Sequence, residues 1–416
     1  MVFQMAQQRL KKLTDKDFAK QYFSLPEIQP LLYPDRVIQT TLRVKMDDGK
    51  VKYFTAYRSQ HNNARWPYKW GIRFHQQVSK EEVMALSLWM SIKTAALDLP
   101  LGGGKWGVIV DPKQLSSTEL ERLSREYVRS IYKYLGPDMD VPAPDVNTNV
   151  QVMAWMMDEY NKLVGYYAPG AFTGKPVILW GSKWRDIATA LWGLYVLEQY
   201  FSLKGEQIKD KTFVIQGAWN AWLNFAKLVS KAGGKVVAIS DSSGAIFGFD
   251  CMNVDEIEEL KSSKGKLVEY PKCEKLTNQD VLQLEADVLV LAALENQITE
   301  QNADKVKAKL ILELANGPVD IKWEQILASK WIEVLPDILA NAGGVTVSYF
   351  EQVQNKLNYY WDKQEVFQKL ELKMKKATKD IVDFAQKNNS LLREAAYVFA
   401  VYRITTAMKL RWKFND

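Results

Sequence analysis

Only two histidines, His61 and His75, occur in 416 residues, so proton chemistry in this chain falls to lysine and aspartate. Lys105 follows three glycines in the run Pro100-Leu101-Gly102-Gly103-Gly104-Lys105-Trp106-Gly107. Glycine adopts backbone angles closed to other residues and lets a ligand approach the main chain. The run reads as a tight, partly dry loop. Desolvation and cationic neighbours there lower a lysine pKa toward use as a base or nucleophile near neutral pH. Taken alone, Gly-Gly-Gly-Lys reads more readily as a surface turn with a solvated lysine. Lys93 falls late in a helix that Ser79 and Glu82 open, where it can face the same cleft as Lys105. Asp145 sits in Pro142-Ala143-Pro144-Asp145-Val146-Asn147-Thr148. Its prolines stiffen that loop, which suits a group needing a fixed position. Asp145 reads equally well as the N-cap of a helix over 150–163.

The elements that must position these groups fall into two parts. A chain of 416 residues exceeds one ordinary core, so two domains are expected. The composition, 47% hydrophobic and 25% charged, is globular, and a net charge of +6 gives a nucleic-acid surface little support. No apolar run reaches membrane-spanning length, and the N-terminus lacks the apolar core of a signal peptide. Cys251 and Cys273 have no C-x-x-C spacing and no nearby histidine, which fits a reducing cytoplasm and argues against a zinc site. Residues 36–45 and 51–58 alternate apolar and polar around Asp47-Asp48-Gly49, a hairpin signature. A basic loop over 65–71 follows, then helices at about 79–97 and 117–134.

From about residue 183 the pattern changes to strand, glycine turn, helix, strand, with Asp241 placed 24 positions after Gly217. That is the layout of a dinucleotide-binding unit. Further strands at 286–291, 310–314 and 332–335 imply a parallel sheet with helices on both faces. The stretch 364–412 reads as two helices broken near Asn388-Asn389. The fold class is therefore α/β. The fingerprint G-x-G-x-x-G fails, however. Its second and third glycines are Trp219 and Trp222, and an indole there fills the phosphate site.

Several motifs in order resemble the glutamate, leucine, phenylalanine and valine dehydrogenase family, and within it glutamate dehydrogenase. They are Tyr68-Lys69, 102–107, 142–148, Thr173-Gly174-Lys175-Pro176, 292–298, Ala315-Asn316-Gly317-Pro318 and 336–348. Where the family pattern has glycine, this chain has Trp66, Trp70, Trp106, Trp180, Trp184, Trp192, Trp219 and Trp222, and Trp331 and Trp412 fit the same set. Trp89, Trp155 and Trp361 match aromatic positions, and Trp323 has no assignment. Drift does not convert one residue type into one other so often. The expectation is a gene that uses UGA for glycine, read here as tryptophan. The rival is a non-catalytic paralogue with a blocked cofactor site.

The resemblance implies a substrate domain over 1–182 plus 385–416 and a Rossmann-type doubly wound nucleotide domain over 183–384. It also implies oxidative deamination of L-glutamate to 2-oxoglutarate and ammonium, and the reverse. Lys105 resembles the catalytic lysine and Asp145 the proton shuttle. Lys93 would take the α-carboxylate, and Lys69 with Ser348 the side-chain carboxylate. Sister enzymes for leucine, valine or phenylalanine carry apolar residues at that pair of positions, so the pair favours glutamate; such a sister enzyme is the alternative activity. Thr173, Gly217, Trp219, Asn220, Trp222, Asp241, Asn316 and Asn341 match cofactor-contacting positions. Asp241 favours NAD, and Ser243 softens that preference toward NADP. No metal, nucleic acid or membrane is implied. A cytoplasmic homohexamer is, with the 36–58 hairpin as an interface element.

Overall fold

The computed structural model describes residues 2–183, 185–217, 220–263 and 265–411. The chain divides into two compact units, one of residues 1–183, 345–366 and 397–416, the other of 184–344 and 367–396.

The first unit is built on five strands: β1 (Arg36–Lys45), β2 (Val51–Asn62), β3 (Tyr68–Phe74), β4 (Gly102–Val108) and β5 (Asp140–Pro144). Their order is β1-β2-β4-β3-β5. β1 and β2 form the expected antiparallel hairpin, and β4, β3 and β5 run parallel. Three strands stand where the sequence suggested loops. The glycine run is not a loop but β4, buried along its whole length. A Cβ on Gly103 would lie 2.2 Å from Ser91 Oγ and 2.4 Å from Ser87 O, so glycine lets the Lys80–Ala96 helix lie directly on the strand. β3 takes Lys69 out of the basic loop. β5 is an edge strand, the place in a sheet where Pro142 and Pro144 are tolerated.

One face of this sheet is apolar. Ile72, Phe74, Trp106 and Val108 pack with residues such as Tyr127 and Met153 from the Ser117–Ile131 and Val150–Val164 helices. The N-cap of the second of these helices is Asn149, whose Oδ1 accepts from Gln151 N at 3.0 Å and Val152 N at 3.1 Å. Asp145 therefore does not cap it, and its carboxylate is available elsewhere.

The second unit holds seven strands in the order β12-β11-β10-β6-β7-β8-β9. They are β6 (Thr212–Gln216), β7 (Lys235–Asp241), β8 (Gly244–Phe247), β9 (Glu274–Leu276), β10 (Val288–Leu291), β11 (Leu310–Glu313) and β12 (Glu333–Leu335). The five from β12 to β7 are parallel, as the strand–helix alternation implied. The short antiparallel β8 and β9 extend one edge and were not visible in the sequence pattern. Val214, Val237, Leu289 and Ile311 anchor the core.

Residues 345–366, which the sequence reading gave to the nucleotide domain, belong to the first unit. The reason is local: the Gly343–Leu357 helix carries Ser348 and Glu351 onto residues 173–175. The C-terminal helices, Lys363–Asn388 and Leu392–Arg411, break at Asn389, which takes φ 47°. Cys251 and Cys273, read as reduced thiols, are joined in a disulfide.

Among the described residues, ten that are not glycine have positive φ. Six are asparagine or aspartate; the other four are Trp66 (57°), Trp70 (149°), Trp180 (64°) and Trp331 (61°). Asparagine and aspartate tolerate this region because their short polar side chains bond locally; a large aromatic does not.

Candidate active site

Lys69 and Lys105 share one face of the first sheet. Lys69 pairs with Gly103 across the parallel β3–β4 ladder, and Gly103 and Lys105 are two residues apart on β4. Neighbours across the ladder, and residues two apart along a strand, point the same way. The Lys80–Ala96 helix covers this face, as the Gly103 contacts show.

Lys105 Nζ donates to Asp145 Oδ2. A Cβ on Gly71 would lie 2.5 Å from Asp145 Cβ, so the glycine leaves the space in which Asp145 meets Lys105. Arg73 Nε stands 3.8 Å from the same carboxylate oxygen, and Arg73 also pairs with Glu82. Burial pushes the Lys105 ammonium well below the usual lysine range, and the nearby Arg73 and Arg58 guanidinium groups push the same way. A lysine that sheds its proton readily, hydrogen-bonded to a partly exposed carboxylate, forms a proton-transfer pair.

The Lys69 ammonium is fully buried. It donates to Thr173 Oγ1 at 2.7 Å and to Val141 O at 3.2 Å. Thr173 Oγ1 in turn lies 2.6 Å from Ser348 Oγ. A cation and two hydroxyls in a row form a donor set suited to a carboxylate. Thr173, matched to a cofactor position in the sequence, sits in the middle of this row. Its loop is clamped from below: Glu351 accepts from Gly174 N at 2.8 Å and from Lys175 Nζ at 2.7 Å, with both side chains of the ion pair buried. Lys93, in the last turn of its helix, is half-buried with its ammonium 5.9 Å from the Trp70 ring centroid.

Under the apolar face, Arg58 donates to Asp140 Oδ2 at 2.7 Å and stacks on the Trp106 ring at 4.7 Å. Sequence reasoning missed Arg58, Asp140, Arg73 and Glu351. Only Lys175 of the Glu351 pair lay in a quoted motif.

In the second unit Gly217 has φ +107°, and its N–H donates to Ser240 O at 2.9 Å. A Cβ there would press on the Ala292 carbonyl at 3.0 Å. This links the glycine turn to the end of the adjacent parallel strand, where Asp241 stands. Asn341 Nδ2 donates to Asn316 Oδ1 at 2.9 Å. Asn220 and Trp222 open the Asn220–Lys231 helix. Trp219, with Trp184 and Trp412, lies outside the described residues. A strand-end acidic residue beside a positive-φ glycine turn fits the ribose and pyrophosphate ends of a dinucleotide.

Comparison with known proteins agrees with this geometry. Residues 34–162 match the model for the Glu/Leu/Phe/Val dehydrogenase dimerisation domain, and residues 181–411 match that for Glutamate/Leucine/Phenylalanine/Valine dehydrogenase. The chain is 46% identical over 378 residues to an NAD-specific glutamate dehydrogenase of Staphylococcus aureus, covering 91% of each. It superposes on the crystal structure of glutamate dehydrogenase from Peptoniphilus asaccharolyticus with a TM-score of 0.89 and 41% identity, covering 99% of both chains. The hetero-hexameric glutamate dehydrogenase from Thermus thermophilus, in a Leu-bound form, gives a TM-score of 0.86 and 34% identity over 96% of both. The chain belongs to the glutamate, leucine, phenylalanine and valine dehydrogenase family.

Proposed function

We propose that this enzyme oxidatively deaminates L-glutamate to 2-oxoglutarate and ammonium, reversibly, with NAD as the hydride acceptor. The observation that carries the choice of substrate is the buried row Lys69–Thr173–Ser348, beside the Lys105–Asp145 pair on one sheet face. Lys69, Thr173 and Ser348 hold the side-chain carboxylate, and Lys93 holds the α-carboxylate. An apolar side chain would displace solvent from the Lys69 ammonium and offer no carboxylate in return, which is costly. Asp145 takes a proton from the substrate ammonium and relays it to solvent. Bound NAD supplies the acceptor for the Cα hydride. Gly217, Asn220, Asp241, Asn316 and Asn341 would hold it. Neutral Lys105 then deprotonates the water that attacks the imine carbon, and Asp145 returns a proton to the departing amine. Incubation with L-glutamate and NAD should yield 2-oxoglutarate and ammonium in equal amounts; absence of either product would remove the proposal.

The proposal extends to the tryptophans: those at 66, 70, 106, 180, 184, 192, 219, 222, 331 and 412 stand where the cell inserts glycine, through UGA read as glycine. Four positive-φ tryptophans support this reading. Trp331 is the clearest. Its N–H bonds Ala328 O, and Ile332 N bonds Leu327 O, both at 2.9 Å, the pattern of a helix end whose left-handed residue is usually glycine. The indole is 91% exposed, so no burial offsets the strain. Among the described residues, the buried indole nitrogens of Trp106 and Trp192 have no hydrogen-bond partner, which costs further. Peptide mass spectrometry of residues 212–231 from the native host decides it. Glycine masses at 219 and 222 uphold recoding; tryptophan masses there favour the blocked paralogue.

A homohexamer completes the proposal. The dimerisation-domain match and the edge position of β1 support assembly through the first unit. Light scattering on the purified chain gives the subunit number.

A further inference from the structure

Lys175 stands in the Thr173-Gly174-Lys175-Pro176 motif as a buried cation that the reaction leaves unused. Its ammonium donates to Glu351 Oε1 at 2.7 Å and to Phe172 O at 2.6 Å. The other carboxylate oxygen, Oε2, accepts from Gly174 N at 2.8 Å. A buried ion pair of this kind adds little net stability, because desolvation of both ions offsets their attraction. What it supplies here is a fixed position. Ser348 and Glu351 are three residues apart on the Gly343–Leu357 helix, so they share one face. Ser348 Oγ meets Thr173 Oγ1 at 2.6 Å, and Glu351 meets the next N–H along the chain. The helix therefore grips two successive residues of the turn, which Gly174 passes at φ 78°.

The direction of the hydrogen bonds gives this grip a chemical consequence. An ammonium only donates, so Thr173 Oγ1 accepts from Lys69 Nζ at 2.7 Å. The threonine proton then turns to Ser348 Oγ at 2.6 Å rather than to Pro142 O at 3.4 Å. Ser348 keeps its own proton to give, and a carboxylate is the acceptor that completes the row. We propose that Glu351, held by Lys175, is a positioning residue for substrate choice: by fixing Gly174 N it keeps Thr173 between Lys69 and Ser348, so that the Ser348 hydroxyl donates to the side-chain carboxylate of glutamate. The proposal rests on the reading of that row as a carboxylate site.

The test is steady-state NAD reduction with L-glutamate and with L-norvaline, whose side chain ends in a methyl group instead of the carboxylate. The parent is the chain expressed with glycine at the ten tryptophan positions of the recoding reading. Glu351→Leu combined with Lys175→Met removes the pair without stranding a charge. It should lower kcat/KM for glutamate relative to norvaline by about tenfold, the loss of one hydrogen bond to a charged group, with the change in KM rather than kcat. Glu351→Gln combined with Lys175→Met keeps an oxygen for Gly174 N and should hold the parent ratio within about threefold. Should the leucine form fail to fold, Glu351→Asp, whose shorter arm does not span both nitrogens, is read in its place. A parent ratio retained in the leucine form would overturn the proposal. So would an equal loss for both amino acids, the mark of a purely structural role, or a glutamine form as impaired as the leucine form. A parent that turns over both amino acids without preferring glutamate, or turns over neither, would remove the carboxylate reading itself, and the proposal with it.

Discussion

Replacing Lys69 by leucine should invert the substrate preference. Lys69 is fully buried, and its ammonium reaches Thr173 Oγ1 at 2.7 Å. The substrate carboxylate, once seated, would form a buried, hydrogen-bonded ion pair with it. Losing one partner of such a pair costs about 3–5 kcal/mol, or about two to four powers of ten in kcat/KM. Leucine is shorter than lysine but branched, with nearly the same volume, so little space is left empty. Thr173 keeps its bond to Ser348 at 2.6 Å, so the rest of the row stays in place. L-Norvaline, which lacks the carboxylate, should lose nothing and gain from the apolar wall. The assay is initial-rate NAD reduction with each amino acid, for wild type and Lys69→Leu. If kcat/KM for glutamate falls by less than about tenfold, Lys69 does not hold a carboxylate. A parallel fall for norvaline would mean that the site had simply collapsed.

Other outcomes follow from the same geometry. Asp145→Asn keeps the shape against Lys105 but cannot relay a proton; kcat should fall by about two to four powers of ten with KM little changed, read from steady-state kinetics. His61 is buried between Ser91 Oγ and Leu31 O, and burial lowers its pKa from 6.5 to about 4. Between those values the unfolded chain takes up a proton that the folded chain refuses. Stability present above pH 6.5 should therefore shrink as the pH falls to about 4, by about 3 kcal/mol. His61→Gln should flatten that slope in urea titrations. Trp331→Gly should raise stability by about 1 kcal/mol by relieving the left-handed strain at φ 61°, visible as a higher urea midpoint.

The second unit was legible because its parallel strands are short, apolar runs separated by helices, a pattern independent of partners. The first unit's strands that carry the candidate site were not. Glycine and proline signal loops locally, yet Gly103 and Gly104 are glycine because the Lys80–Ala96 helix and Arg58 crowd β4, and Pro142 sits on an edge that asks no N–H of it. Such reasons lie in neighbours far along the chain. The motif residues Lys69, Thr173 and Ser348 were visible, but not their hydrogen-bonded row, which joins positions 104 and 175 residues apart. Glu351, one turn beyond Ser348, carries no local signal at all. Asp145 read as readily as a helix cap, and only the structure shows that Asn149 is the cap.

The selectivity of NAD reduction among L-glutamate, L-leucine, L-valine and L-phenylalanine, measured on protein from its own host, tests the central claim most directly. The account predicts glutamate preferred over each of the others by about a hundredfold or more, because only glutamate pairs with the buried Lys69. A preference for an apolar amino acid, or no reduction with any of them, would contradict it.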